Sequence, residues 1–153
     1  MLDIQIDDFC KDTALIFDAL YRVFPRNTDI LVDQICGSDE LDEFGLHSRR
    51  HEACLSTMFW LANEGLIRYE NTIEHEGISQ ATLSNRGFSL LCLPNNLHFV
   101  ALNNEMPPEC PETVGSYIRQ INQLLPTHSS ENTRTLILQL LRQHARYHQQ
   151  TYT

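Results

Sequence analysis

The sequence predicts a mainly α protein with one small β-hairpin, an α+β chain, on three observations. Apolar residues recur at helical spacing in several separate stretches, a single pair of segments reads as strands, and Pro25, Pro94 and Pro126 cut the helical stretches apart. With 153 residues, 42% of them hydrophobic and 20% charged, the chain is long enough for a core without staples and too apolar for wholesale disorder.

Between Asp12 and Phe24, the residues Ile16, Ala19, Leu20, Val23 and Phe24 form one amphipathic stripe, closed by Pro25. Thr28 is placed to cap a second, shorter helix in which Leu31 and Ile35 face the same way, with Gly37 at its end. A polar loop from Ser38 to Gly45 leads to a third helix, from about His47 to Glu64, with Leu55, Met58, Phe59 and Ala62 inward and Gly65 as its stop. Leu66 to Glu70 and Ile78 to Leu83 read as two strands joined by a turn from Thr72 to Gly77. Ser84 or Asn85 then caps a fourth helix carrying Phe88, Leu90, Leu91 and Leu93. Leu97 to Leu102 is an apolar run of undecided type, and Pro107, Pro108 and Pro111 mark a linker. A fifth helix carries Val114, Tyr117, Ile118, Ile121, Leu124 and Leu125. A last one, capped by Ser129 or Ser130, reaches about Gln150. Its segment Leu136 to Leu141 is apolar on more sides than a lone surface helix buries.

Leu61 to Ile67 reads L-x-x-x-G-L-I and Leu83 to Gly87 reads L-S-x-x-G, one on each side of the hairpin. In this order, helix, helix, helix, hairpin, helix, the stretch from about Asp12 to Pro94 resembles the winged helix-turn-helix superfamily. The resemblance implies a winged helix domain over residues 7–94, followed here by a linker at 95–110 and a C-terminal helical pair at 111–150. Leu136, Ile137, Leu140 and Leu141 are the expected dimerisation surface, and a homodimer would present two reading helices to a pseudo-palindromic site.

The resemblance also implies double-stranded DNA as partner and a sequence-specific transcriptional regulator, bacterial or from a bacterial mobile element, as function. The third helix would enter the major groove with His47, Ser48, Arg49 and Arg50 first and Ala53, Ser56 and Thr57 behind them. An arginine fork on guanine is worth about 1–3 kcal/mol of discrimination. The alternative is a winged helix module that binds protein and not DNA, and charge speaks for it. Met1 to Gly45 holds three basic residues against eleven acidic ones, which is most of the net charge of −9. Asp39, Glu40, Asp42 and Glu43 precede the third helix, and the wing offers Glu74, His75 and Glu76 where phosphates would want cations. The plain reading of Arg49 and Arg50 is a solvated first turn whose charges pair with the acidic loop. Trp60, the one tryptophan, falls on the outward stripe of the third helix; it is either covered by the C-terminal helices or part of a partner surface.

Five widely spaced cysteines, Cys10, Cys36, Cys54, Cys92 and Cys110, fit neither a disulfide framework nor zinc knuckles. His47 with His51, and His144 with His148, have the i, i+4 spacing of metal ligands, but no third ligand nominates itself by spacing, and no metal is expected. Without a glycine-rich phosphate loop, a Gly-x-Ser-x-Gly elbow or a His-Glu-x-x-His segment, no enzyme activity and no cofactor are expected. The acidic start lacks a signal-peptide pattern, and no apolar run is long enough for a membrane span, so a cytoplasmic location is expected.

Overall fold

A computed structural model describes residues 3–95 and 115–151, with side chains to residue 146. The element order is α1 (Ile4–Val23), β1 (Thr28–Leu31), α2 (Val32–Cys36), α3 (Arg49–Asn63), β2 (Ile67–Arg68), β3 (Asn71–Ile73), β4 (Gly77–Leu83), α4 (Asn85–Cys92), α5 (Tyr117–Leu124) and α6 (Ser130–Thr151). A one-turn 3-10 segment at Leu125–Thr127 holds Pro126 and joins the last two helices. This is a mixed α+β architecture, with helices dominating and one small antiparallel sheet.

Strand β4 is the centre of that sheet. It pairs with β1 through Thr28↔Ala81 and Ile30↔Ile78, with β2 through Ile67↔Leu83, and with β3 through Thr72↔Ile78. Gly77 lies so close to the backbone of Ile30 and Leu31 that a Cβ there would run into it. The expected second helix is therefore shorter than its sequence suggests. Thr28 to Leu31, expected to begin it, is strand, because β4 offers hydrogen-bonding groups that no local pattern announces. Only Val32 to Cys36 is helical, and Gly37 follows it at φ 92°.

The first helix starts at Ile4, eight residues ahead of the expected Asp12; it packs against α6, whose Arg134 meets Asp7 in this added part. The third matches its expected limits to within two residues. Ser48 caps it, the Ser48 Oγ accepting from the His51 amide at 3.2 Å. Ser84 does the same for α4, accepting from the Gly87 amide at 3.0 Å. Gly87 in turn approaches the Leu66 carbonyl so closely that no side chain fits between α4 and the segment leading into β2.

One continuous core runs through the chain, from Ile16, Phe17 and Leu20 of α1 through Met58 and Leu61 of α3 to Tyr117 and Ile121 of α5. Leu136, Ile137 and Leu140 of α6 belong to it, each at 0% exposure. They are spent inside the chain, so the expected dimer surface cannot be built from them; of the four residues, Leu141 alone is half-exposed. The C-terminal helices are thus part of the same core as the N-terminal elements. The flanks of the undescribed segment are fastened to each other. Pro94 bridges Ser116, the Tyr117 amide donates to the Leu93 carbonyl at 3.1 Å, and Asn95 donates to Gln120 at 2.6 Å. Leu97 to Leu102, the prolines at 107, 108 and 111, Val114 and almost all of the expected 95–110 linker lie outside the described residues. Among the described residues, no helix is long and apolar enough to cross a membrane.

Candidate interaction surface around the third helix

The start of helix α3 is tied to the loop before it and to the β3–β4 turn by polar contacts of Asp39, His47, Ser48, His51 and Glu76. Asp39 Oδ2 accepts from the Ser48 amide at 2.9 Å and lies 3.1 Å from His47 Nδ1. The far nitrogen of His47, Nε2, is 3.0 Å from Glu76 Oε1 in the turn between β3 and β4. His51 is buried, and its Nε2–H donates to the His75 carbonyl at 2.8 Å; a carbonyl only accepts, so the proton is on Nε2. The His47 and His51 rings stack with centroids 3.7 Å apart and planes 4° from parallel. The Ser48 amide first, then its hydroxyl and His47, hold the Asp39 carboxyl below the usual carboxylate range. For His47, desolvation pulls the pKa down, but the Asp39 hydrogen bond and the Glu76 carboxylate outweigh it, and the net shift is upward.

Arg50 points the other way, into the chain. Its Nη1 and Nη2 donate to Asp12 Oδ2 and Oδ1, each at 2.6 Å, and its Nε is 3.5 Å from Asp8 Oδ2. The Asp12 hydrogen bonds above all keep the guanidinium protonated beyond its ordinary range. With the end of the fork on Asp12 and its Nε edge turned toward Asp8, Arg50 is held against α1 and not presented to a guanine edge. Of the expected basic start of α3, only Arg49 is fully exposed, and His47 is occupied by two carboxylates. Four further arginines belong to separate elements, Arg68 on β2, Arg86 on α4, Arg119 on α5 and Arg134 on α6, the last meeting Asp7 of α1 at 3.1 Å.

Behind the first turn, Ala53, Ser56 and Trp60 are exposed as expected, but Thr57 is buried and its hydroxyl donates to the Ala53 carbonyl at 2.9 Å. Thr57 thus leaves the expected reading face and seals the helix against its neighbours. The expected wing residues form the β3–β4 turn. Glu74 and His75 are exposed, at φ 25° and 63°, and Glu76 is half-buried beside His47.

Trp60 is neither covered by the C-terminal helices nor isolated. At 40% exposure it stands edge-on to Phe9 of α1, with centroids 5.3 Å apart and planes at 87°. A groove of about 480 Å³ lies on one side of it, floored by Ile6, Phe9, Ala53 and Ser56; another of about 520 Å³ lies on the other, walled by Leu138, Leu141 and Ala145 of α6. The loop before α3 adds three more apolar side chains to the surface, Leu41, Phe44 and Leu46, of which Phe44 is 80% exposed. Its shape is set by Asp42, whose Oδ1 accepts from the Phe44 and Leu46 amides at 2.9 Å each.

Sequence patterning missed Asp12, Asp39, Ile6 and Phe9. Asp12 left a signal: it stands four residues before Ile16 on the inner stripe of α1, where a carboxylate requires a buried partner. No known protein family, curated protein or solved structure matches the chain.

Proposed function

We propose that residues 7–94 form a winged helix unit and that the unit serves as a protein-binding module. The first half of this reading is supported by element order: helix, helix, helix, strands around a tight turn, then helix, with one additional short strand between the first two helices. The second half is carried by one observation. Arg50, the residue best suited to a base edge, is consumed by Asp12 and Asp8, so the leading turn of α3 has Arg49 as its only fully exposed cation. A surface that neutralises few phosphates gains little affinity for a polyanion. The outward face of α3 carries apolar ground instead, with Trp60 between two grooves and Phe44 nearby in sequence. Aromatic anchors beside shallow grooves are the usual centre of a protein interface. The acidic N-terminal third selects the partner: an amphipathic segment with an apolar anchor and basic flanks.

Trp60 itself is the reporter. Basic amphipathic peptides selected from a display library should shift its emission on binding, and Ile6→Ser should abolish the shift while leaving the circular dichroism spectrum unchanged. Mixed genomic duplexes at low salt should show no retardation at micromolar protein. A second reading, the sequence-specific DNA-binding regulator, is favoured by exposed Arg49 and by the small exposed side chains of Ser48, Ala53 and Ser56 beside it, which permit close approach to a groove. Retardation of duplex DNA that is lost in Arg49→Ala would put that reading in place of the first.

A further inference from the structure

We propose that Asp39, His47 and His51 form a site for a divalent transition-metal ion, with Zn²⁺ the fitting one. The i, i+4 histidines supply two donors, and the fold brings the third from a loop eight residues before His47. One ligand atom from each of the three lies within 4.8 Å of the other two. Asp39 Oδ2 is 3.1 Å from His47 Nδ1 and 3.8 Å from His51 Nδ1. In a tetrahedral zinc site with bonds of about 2.0–2.2 Å, donor atoms stand about 3.3–3.6 Å apart, so these spacings bracket the required one.

Independent support comes from His51. Its residue exposure is 1%, and its Nδ1 has no hydrogen-bond partner among the described residues. In the neutral imidazole, which carries a single N–H, the Nε2 proton that goes to the His75 carbonyl leaves a lone pair on Nδ1, buried 3.8 Å from the Asp39 carboxylate. A lone pair beside an anion gains nothing from its neighbour; a cation between them satisfies both. The outer contacts are those that orient metal-bound imidazoles. His51 donates to a backbone carbonyl, and His47 places Nε2 at 3.0 Å from a carboxylate oxygen of Glu76. Loading releases the His47 Nδ1 proton to solvent and replaces its contact with Asp39 by the ion, and it requires the two parallel rings to fan apart, a tilt that falls to His47, the more exposed of the pair. Three protein ligands leave one tetrahedral position for water or an incoming donor. The ion would tie the 38–48 loop to the first turn of α3.

The test is titration of the purified full chain with Co²⁺ alone, followed by displacement with Zn²⁺. One equivalent of Co²⁺ should give the visible d–d bands of a four-coordinate ion, and Zn²⁺ should bleach them. Asp39→Asn, which keeps an acceptor for the Ser48 amide, and His47→Gln should each weaken binding by more than about tenfold, and Glu76→Gln by about 10–100-fold. His144→Gln/His148→Gln, which removes the other spaced pair, should leave it unchanged. Circular dichroism confirms the fold of each variant, and Glu76→Gln alters the site without touching a ligand. Octahedral-only spectra, binding that survives Asp39→Asn and His47→Gln, binding lost in the His144/His148 variant, or no saturation at micromolar ion would overturn the assignment.

Discussion

Replacing Arg50 by Ala tests whether the first turn of α3 is a structural lock or an open reading surface. The Asp12 carboxylate is 1% exposed and accepts two hydrogen bonds of 2.6 Å from a guanidinium that is itself 31% exposed. Removing one member of a buried pair costs about 3–5 kcal/mol, because the other charge stays in the core without compensation. Arg50 is nearly one-third open to solvent, which places the cost near the lower end, about 3 kcal/mol. In a chain of this length that corresponds to a fall in Tm of about 6–12 °C. Urea unfolding at neutral pH, followed by circular dichroism, measures it directly. The double variant Asp12→Leu/Arg50→Met removes both charges and should return to within about 1 kcal/mol of the parent, since well-packed apolar replacements of a buried pair are nearly neutral. An Arg50→Ala cost under about 1 kcal/mol, the scale of an exposed ion pair, would refute the reasoning and hand Arg50 back to solvent and to DNA.

Three further outcomes follow from the packing. Gly87→Ala drives a methyl group against the Leu66 carbonyl and should cost about 1–3 kcal/mol in chemical unfolding, whereas alanine at an exposed helical glycine would stabilise. Leu136→Ala should cost about 2–5 kcal/mol, and sedimentation should show the same oligomeric state before and after, because that side chain packs inside its own chain. At pH 8, Cys92, which is exposed, should react with a thiol reagent well before Cys10 and Cys54. Burial first, then Asp7, pushes the Cys10 thiol up to about 11, and burial raises Cys54 as well, so neither holds appreciable thiolate until the chain unfolds; mass spectrometry of labelled peptides with and without urea reads this out.

The helices announced themselves through local periodicity, and their ends through local chemistry. Ser84 and Gly37 cap or stop a helix where the side chain, or the lack of one, said they would, while Ser48, expected only on the reading face, turns out to cap α3. Strand β1 was invisible for the opposite reason. Thr28 to Leu31 has no alternation of its own, and its hydrogen bonds are made to residues about fifty positions later. The apolar excess of Leu136 to Leu141 correctly announced burial on several sides but not by what; of the two expected covers, the chain's own N-terminal elements or a second copy, α1 and α5 supply it.

The same division runs through the surface. Sequence alone placed Ala53, Ser56 and Trp60 on the outward side of α3, through the 3.6-residue turn, and located the acid in the N-terminal third, whereas the burial of Thr57 was set by the elements packed beside it. Whether Arg50 is a free cation was decided by Asp12, thirty-eight residues away, and whether two spaced histidines have a third donor was decided by Asp39. Periodicity is a property of neighbours along the chain, whereas the neutralisation of a charge and the completion of a ligand set depend on distances across space. Those distances exist only once the core has drawn α1, the 38–48 loop and the β3–β4 turn around the start of α3.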